Sequence, residues 1–169
     1  MQLLDAINKR RSIRQFTGQP ITDEQLQTIL NAAMMAPTGR NIQEWEFLVI
    51  KDKETLLKII EVHPYTQMLT EAACAIIVCG NMQKDDAESF WIGDCGAASQ
   101  NILLTATDLG LGSCWCGVQN SKERTDGIRK LFNLPSHIMP FNVIAIGRPA
   151  ETRETPQRFD SEKVHYEKW

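Results

Sequence analysis

The sequence predicts an α+β domain, a sandwich of helices around a mixed β-sheet. Three observations carry that expectation. Helical periodicities and apolar strand-like runs follow one another in the order ααβαβα(β)αβ, without regular βα alternation. At 169 residues, 43% hydrophobic and 23% charged, the chain can bury an ordinary core without disulfides or metal. No apolar run approaches the roughly 20 residues a membrane span needs, and no repeat or linker divides the chain, so residues 1–169 read as one domain.

Leu3, Leu4 and Ile7 mark one face of a short opening helix that runs into a basic stretch. Thr22 and Gln25 form a capping box ahead of Leu26, Ile29, Leu30, Ala33 and Met34, which keep a 3.6-residue period until Pro37. "EFLVI" (46–50) is a strand, and "KETLLKII" a helix capped by Asp52. "CAIIVCG" (74–80) is a continuous apolar run and therefore a buried strand. Residues 93–109 form a long helix whose first half, "GDCGAASQN", is crowded with small side chains. Such a surface lets another backbone, or another subunit, approach closely. "GLGSCWCGV" (110–118) breaks this helix with glycines and leads into a short extended piece. Ile128, Leu131 and Phe132 mark a helix that stops near Pro135, and "FNVIAIG" (141–147) is a further buried strand. Residues 148–169 carry ten charges and no period, yet include Phe159, Val164, Tyr166 and Trp169. They read as an arm that packs on its own domain or on a partner.

Charge is unevenly placed. The chain has a formal net charge of −3, but Lys9, Arg10, Arg11 and Arg14 lie within six residues, against a single nearby acid, Asp5. If the first helix ends near Arg11, Arg10, Ser12 and Arg14 alternate along an extended segment and share a face. Two guanidiniums and a hydroxyl on one face would seat a phosphate through charge-assisted bonds. The alternative is a set of cations at a helix C-terminus, where the helix dipole favours them. Nucleic acid is an unsuitable partner, because the chain is acidic and has no second basic stripe.

"APTGRNIQEWEF" (36–47) concentrates Thr38, Arg40, Asn41 and Gln43 around the loop-forming Pro37 and Gly39. It lies between a helix and a strand, where binding residues tend to sit, and it also fits an ordinary polar turn. Trp45 is a packing anchor at the strand entrance.

Several chemistries lack their motifs. The five cysteines and three histidines have no metal-ligand spacing, so no metal is expected. Cys114 and Cys116 could form a redox dithiol, although buried inert thiols are the commoner use. There is no GxGxxG, GxxxxGK[ST], GxSxG or HExxH, and Ser12 has no histidine near it in sequence. Asp85, Asp86 and Glu88 fall in a polar loop that calls for no more than solvation. "LLDAI" gives way to charge too soon for a signal peptide, which points to the cytoplasm.

Taken in order, "RRSIRQF", "APTGRNIQEWEF", "GDCGAASQNILLTATDLGLGSCWCG", "AIGRPAE" and "RFDSEKVHYEKW" resemble the FMN-dependent nitroreductase family over nearly the whole chain. The resemblance implies a three-layer α/β/α sandwich with a mixed, mainly antiparallel central sheet. It also implies a homodimer with FMN at the interface and NAD(P)H as electron donor. Arg10, Arg11 and Ser12 would then hold the phosphate and ribityl end, and Arg14 the pyrimidine edge. Pro37, Thr38, Gly39 and Asn41 would come from the other subunit. Gly117 and Val118 would offer backbone N–H groups to the N5/O4 edge, Gln67 would reach the pyrimidine ring, and Arg158 would return from the arm to the phosphate.

The implied activity is ping-pong hydride transfer through FMN to a small acceptor, of nitroaromatic or quinone type. Other flavin chemistry on the same fold and a non-catalytic FMN carrier are the alternatives. No side chain is assigned as catalytic. Arg14 and the amides of Gly117 and Val118 have the best claim, through electrostatic tuning. Two departures from the family pattern stand out: Glu44 occupies a usual proline position, and Pro156-Gln157-Arg158 replaces Lys-x-Arg.

Overall fold

A computed structural model of the chain describes residues 2–84 and 87–169. Five helices and four strands follow in the order α1 (Leu3–Lys9), α2 (Asp23–Met34), β1 (Trp45–Ile50), α3 (Lys53–Val62), β2 (Cys74–Asn81), α4 (Ala87–Asp108), β3 (Gly112–Gly117), α5 (Lys122–Leu131) and β4 (Ile138–Gly147). Short 3₁₀ turns occupy Gly39–Asn41, Pro64–Thr70 and Ser161–Lys163.

The strands form one sheet in the order β1-β2-β4-β3, and every pairing is antiparallel. The parallel component of the expected mixed sheet is confined to an isolated bridge between Ser12 and Ser113. The apolar run of β2 is explained by burial on both faces. Ala75, Ile77 and Cys79 point into one core with Leu56 and Ile59 of α3 and Ile128 of α5. Cys74, Ile76 and Val78 point into the other, with Ile29 and Ala33 of α2 and Cys95, Ile102 and Ala106 of α4. Alternating residues of one strand thus feed two helical layers, which makes the three-layer sandwich.

The local signals act as their chemistry suggests. Thr22 Oγ1 accepts from the Gln25 N–H at 3.1 Å while Gln25 Oε1 accepts from the Thr22 N–H at 3.0 Å. Asp52 Oδ2 accepts from the Thr55 N–H at 2.8 Å and so begins α3. Helix α4 starts six residues before the expected position, at Ala87, so Glu88 lies in its first turn and not in a loop. Asp85 and Asp86 lie outside the described residues. Trp45 opens β1, half-buried against the second core, its ring centroid 5.7 Å from that of Phe47.

After α1 the chain runs as a strap over the free edge of the sheet. The Ile13 N–H donates to Ser113 O at 2.9 Å, and Phe16 bridges Pro149. This close approach requires Gly112, since a Cβ there would lie 2.8 Å from Ile13. Residues 148–155 run back along the strap. Glu151 Oε1 accepts from the Arg14 N–H at 2.6 Å, and the Thr155 hydroxyl donates to Asn8 O at 3.2 Å. Beyond that point the aromatic side chains of the arm face outward: Phe159 is 87% exposed, Tyr166 79%, and Trp169 wholly exposed. Of the two surfaces considered for the arm, its own core does not receive these side chains.

Candidate functional site

Two clefts flank the strap. The first, of about 610 Å³, is formed by Arg10, Arg11 and Gln100 with Gln157, Arg158 and Phe159 of the arm. No acid lines it. Burial, then the guanidiniums of Arg11 and Arg158, press the Arg10 pKa below its ordinary value, as expected for like charges held together. Among the described residues no ion pair involves Arg10 or Arg158.

Arg11 has a different task. Its guanidinium donates to Glu154 O at 2.9 Å, to Asn8 O at 2.7 Å and to Arg10 O. It closes the C-terminal end of α1 and ties the arm to it. The donors free to meet an anion are therefore those of Arg10 and Arg158. Ser12 does not line this cleft, because its backbone is bridged to Ser113.

The second cleft, of about 440 Å³, follows the open edge of β3. It brings together Arg14, Gln67 and Gly117, nominated from sequence, with His63, Tyr65 and Arg124, which were not. Val118 departs from its expected role. It is fully buried, and its N–H is already donated to Phe141 O at 3.0 Å. That bond makes Val118 a hydrogen-bonded position of the β3–β4 ladder. Its neighbour Gly117, opposite Asn142, is then a non-bonded position whose N–H and C=O point outward from the sheet edge. The outward carbonyl accepts from His63 Nε2 at 3.0 Å. The outward N–H lies at the edge strand that lines the cleft. The nearest atom to a Cβ built at Gly117 would be Asn120 Oδ1, at 3.4 Å.

Two cysteines also line this cleft. All five thiols are free and buried, and burial pushes Cys74 and Cys79 up to about 12. The neighbouring Cys116 thiol lowers Cys114 to about 7 against the cost of burial, with help from Arg14 and Arg153. Among the described residues no group of His, Cys, Asp or Glu could hold a metal ion, and no helix is long and apolar enough to cross a membrane.

Pro37, Thr38, Gly39 and Asn41 line neither cleft. They belong to a loop in which Arg40, Asn41 and Gln43 all have positive φ, between 52° and 56°. Such conformations cost roughly 1–3 kcal/mol each unless the surroundings impose them. Here the Gln43 N–H donates to Thr38 Oγ1 at 3.1 Å, and the Gly39 N–H to Asp94 Oδ2 of α4 at 2.7 Å. Behind the loop Glu44 is fully buried, and neither of its carboxylate oxygens has a hydrogen-bond donor among the described residues.

His63, Tyr65 and Arg124 were missed because their roles depend on long-range contacts. The sequence separation of 54 between His63 and Gly117 hides the first of them. The only local cue was the polar "HPYTQ" stretch that contains Gln67.

The residues present fit FMN. An acid-free cleft with unpaired guanidiniums suits a phosphate, and an outward N–H at Gly117 suits a planar ring carrying acceptor atoms.

The model of the Nitroreductase family matches residues 7–63 and 59–148. A protein of Methanothermobacter thermautotrophicus, provisionally named NADH dehydrogenase/NAD(P)H nitroreductase, is 46% identical over 169 residues, covering 100% of this chain and 88% of its own length. An FMN-dependent nitroreductase of Clostridium difficile R20291 superposes with a TM-score of 0.91 at 32% identity, covering 98% of this chain and 99% of that one. A structure from Desulfovibrio desulfuricans, provisionally named a nitroreductase and solved in complex with FMN, superposes with a TM-score of 0.86 at 30% identity, covering 100% and 98%. With the order of motifs, the three-layer fold and these full-length matches in agreement, the chain belongs to the nitroreductase family.

Proposed function

We propose that this protein is a cytoplasmic, homodimeric, FMN-dependent NAD(P)H oxidoreductase. Bound FMN supplies the redox chemistry, a ping-pong transfer of electrons from NAD(P)H to a small acceptor of nitroaromatic or quinone type. The carrying observation is the convergence of Arg10 and Arg158 on an acid-free cleft.

In this reading Arg10 and Arg158 grip the phosphate, and Arg11 fixes the helix end and arm that carry them. Arg14 stands in the second cleft, where its charge favours an anionic reduced ring. Gln67 meets the pyrimidine edge, and the Gly117 N–H orients the ring. The loop of Pro37, Thr38, Gly39 and Asn41 serves the partner's site. The single domain is completed by residues 148–169, whose exposed aromatic side chains pack on the partner subunit.

Two further observations support the dimer. A Cβ at Gly93 would meet nothing within 4 Å, and at Gly96 only Phe141 at 3.9 Å. Packing within the subunit therefore leaves these helix positions open, and glycine costs an exposed helix about 1 kcal/mol relative to alanine. A close-packed partner helix would account for both.

The test is the visible absorption spectrum of the purified protein, before and after adding NADH or NADPH without oxygen. A flavin spectrum that bleaches is expected. One that persists with both nucleotides favours a non-catalytic carrier. A colourless protein that takes up no FMN removes the flavin reading.

A further inference from the structure

The second cleft contains more positive charge than a flavin edge requires. Arg14 and Arg124 both line it, and no acid does. Arg124 is the third residue of α5, whose N-terminal end adds partial positive charge. Two contacts hold its guanidinium in place. It donates to Asn120 Oδ1 at 3.1 Å, and it lies 5.7 Å from the centroid of the Tyr65 ring. Asn120 Oδ1 is also the atom nearest to the open position at Gly117. The guanidinium is thereby held in the cleft that Gly117 also lines.

The Tyr65 ring is largely exposed and is met edge-on by His63 at 6.2 Å. It offers a flat apolar face beside the Arg124 charge. A reactant approaching Gly117 would therefore meet an aromatic surface and a fixed cation together. The arrangement suits a planar ring bearing an anionic group and gives a neutral ring of the same shape no equivalent contact.

We propose that Arg124, held by Asn120 and Tyr65, is a specificity-determining residue that selects reactants carrying an anionic group. That group is the carboxylate of an aromatic acceptor or a phosphate of the nicotinamide donor. The inference rests on the flavoenzyme reading above and adds the charge class of the reactant.

The test compares 4-nitrobenzoate with 4-nitrobenzamide, which share size and ring and differ in charge. Their dissociation constants are read from the perturbed spectrum of FMN-loaded protein without donor. KM and kcat are then measured for both, and for NADH and NADPH. The expected result is tighter binding of the anion in the wild-type protein. Arg124→Gln should reduce that preference by about tenfold, through binding and KM and not kcat, and Arg124→Lys should restore part of it. If Arg124→Gln instead raises KM for NADH and NADPH while the nitrobenzoate preference stays, the selected anion is the donor's phosphate. Equal changes for the amide and the anion would indicate a structural role and overturn the proposal. So would unchanged values for all four compounds. A wild-type protein that binds and reduces FMN yet shows none of these effects sinks this inference alone, whereas failure to bind FMN sinks the enzyme reading as well.

Discussion

His63 Nε2 lies 3.0 Å from the carbonyl oxygen of Gly117, joining the end of α3 to the edge strand at the point where the second cleft opens. A carbonyl only accepts, so the ring carries its proton on Nε2, and the buried Nδ1 is left without a partner. Burial, despite the bond to Gly117, holds the His63 pKa below its ordinary 6.5. The neutral ring is therefore the folded form. Its contribution to stability is complete above pH 6.5 and is lost as pH falls from there through the depressed folded value. Unfolding midpoints in urea should drop more steeply below pH 6.5 for the wild type than for His63→Gln, which keeps a donor but does not titrate. Parallel curves for the two proteins would remove His63 from the acid response.

Glu44 titrates in the opposite sense. Burial first, and the neighbouring Asp94 carboxylate, raise its pKa above 4.5. A raised carboxyl contributes stability that is present below pH 4.5 and lost as pH rises through the folded value. At neutral pH its ionised form is a liability beneath the strained loop. Glu44→Gln replaces an acceptor with a group that can donate to Asp94. It should raise the urea midpoint at pH 7 to 8, by about 1–2 kcal/mol of unfolding free energy. A lower midpoint at that pH would mean that the buried charge has a partner of its own.

The outcome at Glu44 illustrates what the sequence could convey. Local chemistry was legible: the Thr22–Gln25 box, the Asp52 cap and the double-sided burial of "CAIIVCG" follow from residue type and period. The basic stretch was legible as a cluster but not as separate roles. Arg10 and Arg11 are adjacent and chemically alike, and only the position of the Glu154 carbonyl directs one toward the backbone. Likewise Gly117 and Val118 differ through the alternation of the β3–β4 ladder, whose phase depends on a partner strand more than 20 residues away. Glu44 read as a departure from a pattern, and its burial against Asp94 depends on where α4 lies.

The separate roles of the arginines can be measured. Each charge-assisted bond to a phosphate contributes roughly 1.5–3 kcal/mol. Arg10→Ala and Arg158→Ala should each weaken FMN binding by about tenfold or more, with a shallower dependence on salt than the wild type. Arg11→Ala should act first on stability, because it frees the C-terminal end of α1 and the arm at Glu154. Fluorescence titration of FMN, with thermal unfolding of the same variants, separates the two. Unchanged affinity in both Arg10→Ala and Arg158→Ala would remove the proposed seat.

Gly93 and Gly96 give the sharpest test of the dimer, because their subunit leaves both open. Inside a monomer, Gly93→Leu should be harmless or slightly stabilising, since it adds helix propensity at an exposed position where a Cβ meets no atom within 4 Å. Against a close-packed partner helix the same side chain has no room. The variant should therefore remain folded by circular dichroism while shifting to a monomer in sedimentation velocity. FMN should be lost with the dimer if the loop from Pro37 to Asn41 completes the partner's site. Truncation after Gln157 tests the same contact from the arm. It removes Arg158 together with Phe159, Tyr166 and Trp169, so both flavin and dimer should weaken. To separate these losses, Arg158→Ala in the full chain should cost flavin alone. A dimer that survives both Gly93→Leu and the truncation would leave the small residues of α4 and the exposed aromatic side chains of the arm without this explanation.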